Sequence, residues 1–234
     1  MNPPLPRPQV AFQSAVKRLH RAAREVGVRC TESLGIAALA SHSASERDAL
    51  LTAQFDLNRN VASFELAFCE KLNEQIHREF DAATTSGASS RSSASLGWDS
   101  LRLVGDDEVE AQVNADRIAQ TIRHGCEWEL RELDGYMGSL LRLDNPDRDR
   151  NPLRPELICK ALVHAADSVS DRADVRRTVV AEIGRSLAQA MPRVYGEVIA
   201  ELRNSGLQPL SLTLRTVQSP GGTASRYGSG YDAA

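Results

Sequence analysis

"ERDALLTAQFDLNRNVASFELAFCEKLNEQIHREFDAA", residues 46–83, decides the fold. Leu57, Val61, Phe64, Phe68, Leu72, Ile76 and Phe80 recur at steps of three or four, the spacing that brings side chains onto one face of an α-helix. Glu65, Glu70, Lys71, Glu74 and Glu79 take the other faces. The stretch therefore predicts one long amphipathic helix, or two closely joined, starting just after Ser45.

The same period extends outward in both directions. Upstream, residues 10–26 place Val10, Val16, Leu19, Ala23 and Val26 on one face, and Gly27 is expected to end that helix. "ESLGIAALASH", residues 32–42, reads as a second short helix. Downstream, residues 84–97, "TTSGASSRSSASLG", are small and polar and bury too little apolar surface to offset ordering entropy, which predicts a flexible linker.

Beyond the linker, apolar positions run through Val109, Val113, Ile118, Ile122, Cys126, Leu130, Leu133, Met137 and Leu141, predicting one helix to about residue 143. Asp106, Asp107 and Glu108 stand before this run. They read as the acidic first turn of that helix, where unpaired backbone N–H groups and the helix dipole favour negative charge. "DNPDRDRNPLRP", residues 144–155, is a turn. Ile158, Leu162, Ala165, Ala166 and Val169 mark the next helix, with Pro155 suited to its first turn. Val175, Val179, Ile183, Leu187, Met191, Val194, Val198 and Leu202 mark the last, which Pro192 is expected to kink and Gly206 to cap.

These patterns predict an all-α protein, with long amphipathic helices in a bundle. The expected organisation is a proline-rich disordered start (1–8), an N-terminal helical region (9–83), the linker (84–97), a helical bundle (98–210) and a disordered tail (211–234). Composition agrees: aromatic residues are 5% of the chain, and Ala, Leu, Arg and Glu dominate. A net charge of −3 supplies no global field toward nucleic acid or an anionic bilayer. No apolar run reaches the ~18 residues a membrane span requires, and no signal-peptide pattern opens the chain. Cys30, Cys69, Cys126 and Cys159 form no C-x-x-C pair and read as reduced, mostly buried thiols of a cytoplasmic protein.

Motifs that could carry chemistry fail on spacing. Glu74-x-x-His77 matches half of a di-iron bundle site, but no second Glu-x-x-His exists. Asp147, Asp149 and Asn151 alternate as in a calcium loop, yet the position that needs glycine is Pro152 and the twelfth is Ile158. His124 and Cys126 would point about 200° apart on a helix, at 100° per residue, so they cannot form a thiolate pair. Walker A, Gly-rich dinucleotide and G-x-S-x-G patterns are absent. No metal, cofactor or catalytic residue is assigned.

Residues 101–113 ("LRLVGDDEVEAQV"), 151–162 ("NPLRPELICKAL") and 207–215 ("LQPLSLTLR") resemble the N-terminal part of a large bacterial family, the domain of unknown function 1631. Residues 47–76 look like that family's upstream helices, so the resemblance spans roughly residues 45–210. It implies a chain several hundred residues shorter than the family's usual members: a truncated member, a short form or a fragment. Some relatives carry the label thymidine phosphorylase, but the Gly-rich and Lys-Ser phosphate pattern of nucleoside phosphorylases is not found here. The family brings no established catalytic residues.

The expected function is a non-catalytic protein-interaction or regulatory module, partnered by an unknown protein or by the remainder of the family fold. Its candidate binding faces are the stripe Phe64, Phe68, Leu72 and Ile76, and the stripe of the last helix. A second possibility is nucleic-acid or nucleotide binding through Arg148, Arg150 and Arg154, or Arg172, Arg176 and Arg177, although the acids nearby weaken that field. An enzyme ranks third.

Overall fold

A computed structural model describes residues 7–85 and 106–210. Nearly all of the expected linker, most of the proline-rich start and the whole of the expected tail lie outside them. Among the described residues the protein is all-α. Its helices are α1 (Arg7–Ala40), α2 (Ala44–Thr85), α3 (Asp106–Gly125), α4 (Glu127–Leu140), α5 (Pro155–Ala166) and α6 (Ala173–Asn204).

The apolar stripe of α2 is the centre of the core. Leu57, Phe64, Phe68, Leu72 and Ile76 are all buried, while Val61 and Phe80 are half-buried toward its edges. Phe64 and Phe68 stack with ring centroids 6.4 Å apart. Phe80 meets Phe12 of α1 edge-on at 4.9 Å, closing the open end of the α1–α2 hairpin. α6 runs antiparallel to α1, as three lateral contacts show. Arg18 donates to Glu201 (2.8 Å), Ser33 donates to Glu182 (2.8 Å), and the Cys30 thiol lies 3.6 Å from the Ser186 hydroxyl. α5 packs on α2 and α3, and α6 packs on α1, α3 and α4, so the regions on either side of residues 86–105 share one hydrophobic core.

Three local expectations change, and for residues 46–83 the structure takes the second of the two expected forms, two closely joined helical segments. α1 continues through Gly27 instead of ending there, because a helix position facing Phe64 and Val61 is buried by α2. α2 is interrupted at Asn60 (φ −112°, ψ 15°), whose side-chain amide donates to the Val169 carbonyl at 2.8 Å and ties the α5–α6 turn to the bundle. The helix read through residue 143 divides at Cys126 (φ −126°, ψ 29°), since α3 packs on α5 and α6 whereas α4 turns away from α5 and packs chiefly on α6. Val109 and Val113 are exposed, so the buried face of α3 starts at Ala115.

Most other expectations hold. α3 opens on Asp106, so Asp106, Asp107 and Glu108 are its first residues. Every residue of the α6 stripe is buried, whereas at Pro192, where a kink was expected, α6 continues as one helix. Gly206 adopts φ +83° past its end, the left-handed conformation that favours glycine. Where α6 crosses α3, Gly184 lies against Ile118 so closely that a Cβ would collide with that side chain.

Candidate interaction surface

The four residues first proposed as a binding face have no free surface. Phe64, Phe68, Leu72 and Ile76 are buried in the intramolecular core, as is the whole α6 stripe. Their size and spacing are what a helix needs to fold onto its neighbours, and burial of each large side chain is worth about 1.5–3 kcal/mol. A partner could reach these rings only by opening the bundle.

Exposed apolar side chains gather instead at the closed end of the α1–α2 hairpin. Leu34 and Ala38 of α1, and Ala53 and Leu57 of α2, face the core. At 100° per residue, Ile36 and Leu39 on α1 and Leu51 and Phe55 on α2 lie on the opposite side. All four are exposed, Leu39 by 86% and Phe55 by 65%. Gly35 faces Gln54 across the hairpin, so the turns of α1 and α2 that carry these residues are in contact. Another strongly exposed apolar residue, Trp128 at 77%, stands on α4 beneath the Arg131 guanidinium, 5.2 Å from the ring centroid.

The arginine clusters are largely neutralised within the chain. Arg154 pairs with Glu79 at 2.6 Å, Arg177 with Glu110 at 2.5 Å, Arg172 with Asp174 at 2.6 Å and Arg176 with Asp167 at 3.4 Å. Arg148 approaches Asp134 at 3.9 Å. A phosphate backbone would have to displace these carboxylates one by one. An open concavity of about 750 Å³ between the start of α1 and the end of α6 is likewise crossed by the ion pairs of Arg18 with Glu197 and Glu201.

Buried polar groups, among them Asn151 of the supposed calcium loop, are structural. Asn151, fully buried, donates to the Asp134 carboxylate (2.7 Å) and accepts from the Leu153 N–H (2.9 Å). The Tyr195 hydroxyl, also buried, donates to the Leu153 carbonyl at 2.9 Å. Together they pin the 141–154 loop, and burial raises the pKa of both Asp134 and Tyr195. The only sequence signal for them is an asparagine among turn residues and a tyrosine beside the α6 stripe. Asp147 accepts the Asp149 N–H at 2.9 Å, a turn contact within the supposed calcium loop. Glu74 is exposed and pairs with Lys71 and Arg78, and His77 beside it is exposed.

The thiols are core groups. Cys30, Cys126 and Cys159 are buried, and burial pushes them up to about 11, about 12 and about 12, away from reactive thiolate character. Among the described residues no three His, Cys, Asp or Glu side chains converge as metal ligands would, and no helix is long and apolar enough to cross a membrane.

Comparison with known proteins gives one match. A family model described as "Protein of unknown function (DUF1631) N-terminal domain" covers residues 10–206. No curated protein and no solved structure matches the chain.

Proposed function

This chain belongs to the DUF1631 N-terminal-domain family, and we propose that it is a cytoplasmic, non-catalytic helical module that binds a protein partner through the closed end of its α1–α2 hairpin. The observation that carries this reading is the exposed quartet Ile36, Leu39, Leu51 and Phe55 on the face opposite the core. Two antiparallel helices presenting such side chains form a shallow apolar groove, and the partner that fits it is the apolar face of an amphipathic helix.

Affinity capture with the tagged chain and a Leu39→Asp/Phe55→Asp variant, at low and high salt, tests the proposal. The expected result is one stoichiometric protein held by the wild type in high salt and lost by the variant, whose helical circular dichroism is unchanged. The same protein retained by both would remove the hairpin face from consideration. Nucleic acid, seen at 260 nm and released as salt rises, would favour the arginine clusters.

A further inference from the structure

A second surface, on α4 and independent of the hairpin face, carries its own occupant. After the chain turns at Gly206, residues 207–210 (Leu-Gln-Pro-Leu) leave the helix and cross α4. The Leu210 backbone N–H donates to the Gly135 carbonyl at 2.9 Å. The Ser139 hydroxyl donates to the Gln208 carbonyl at 2.6 Å, and Leu207 packs against the core.

Glycine makes the floor of this crossing. Gly135 and Gly138 are both buried and lie three residues apart, hence on one face of α4. A Cβ on Gly138 would stand 2.9 Å from Leu210 Cδ1 and 3.5 Å from Pro146 Cα. One on Gly135 would stand 3.0 Å from the Leu210 carbonyl oxygen and 3.2 Å from Pro209 Cβ. The space left by each missing side chain is the space the segment fills. Glycine is among the poorest helix formers, and α4, only 14 residues long, carries two where the backbone of another segment approaches.

The occupant suits the groove. Pro209 has no N–H and favours an extended backbone, so the donor at Leu210 meets the acceptor at Gly135 and the leucine side chain settles over Gly138. The hold is nevertheless thin. Gln208 and Pro209 are exposed, Leu210 is only half-buried, and the segment is fixed by two hydrogen bonds and leucine contacts.

We propose that the Gly135–Gly138 groove of α4 is a binding site for extended Leu-x-Pro-Leu segments, filled in cis by Leu207–Leu210 and reached by a partner segment of the same chemistry when that strap is displaced. The test uses the full chain and a fluorescent synthetic peptide of residues 206–214, GLQPLSLTL, read by anisotropy. Leu210→Asp unseats the strap, and Gly138→Val fills the groove.

Removing the competing strap should tighten peptide binding by about tenfold or more, because a site mostly occupied in cis binds in trans only in proportion to its free fraction. Adding Gly138→Val to Leu210→Asp should abolish peptide binding, taking it below the wild-type level, with helical circular dichroism preserved. Leu210→Ser is the alternative if the aspartate variant does not fold. A folded Leu210 variant that binds no more tightly than the wild type, or binding that survives Gly138→Val, overturns the proposal.

Discussion

α1 and the α3–α4 pair meet opposite outcomes for reasons a single chain pattern does not carry. Residues 7–40 contain a glycine in mid-run and stay one helix. Residues 106–140 have a periodic apolar stripe and become two. Gly27 sits where α2 packs alongside, 3.7 Å from its missing Cβ to the Phe64 ring, so the helix gains by continuing. Cys126 sits where two neighbours diverge. Its side chain is buried as the stripe requires, yet its backbone leaves the helix so that α4 can turn onto α6. Periodicity tells which residues are buried, whereas the arrangement of neighbours tells whether the backbone is continuous.

The largest effect expected from breaking this comparison is at Phe64. If the α1–α2 contact sustains α1 across Gly27, Phe64→Ala should cost about 3–5 kcal/mol through lost burial and a cavity. The midpoint of urea unfolding, followed by circular dichroism, measures it. A loss below about 1 kcal/mol would mean that the ring is not the packing centre described here.

A smaller change, with the opposite sign, sharpens the point. Gly27 lies inside α1, and an added methyl meets Phe64 and Val61 at ordinary van der Waals distances. Gly27→Ala should therefore stabilise the protein by about 0.5–1 kcal/mol, the usual glycine penalty inside a helix. Were Gly27 a helix terminus with left-handed backbone, the same change would destabilise. The direction of the shift in unfolding midpoint separates the two cases.

Much of the fold was legible because burial follows the 3.6-residue period closely. Leu57 to Ile76 on α2, Ile158 to Val169 around α5, and the entire α6 stripe are where the pattern put them. What was hidden depended on a partner distant in sequence. Asn60 leaves the helical conformation while its side chain reaches Val169, and Gly125 next to Cys126 was a local hint with no visible reason to matter. The candidate face was hidden for a related cause. A stripe such as Phe64 to Ile76 looks alike whether it meets its own chain or another, and only the exposure of Leu39 and Phe55 on the reverse side distinguishes the two.

The smallest effect is a pH dependence centred on the same α1–α2 seam. His20 is half-buried on α1, its Nε2 is buried without a hydrogen-bond partner, and burial lowers its pKa below the ordinary 6.5, against the attraction of Glu65. The unfolded chain thus takes up the proton more readily than the folded one. The stability contributed by keeping His20 neutral is fully present above the unfolded value of about 6.5 and is lost as pH falls through the lower folded value. His20→Leu removes that proton uptake, so between pH 7 and pH 5 its urea midpoint should fall less than that of the wild type. Parallel midpoints over this range would show that the seam accepts a charged imidazole. The close packing argued for Gly27 and Phe64 would then stop short of His20, about two helical turns before Gly27 on α1.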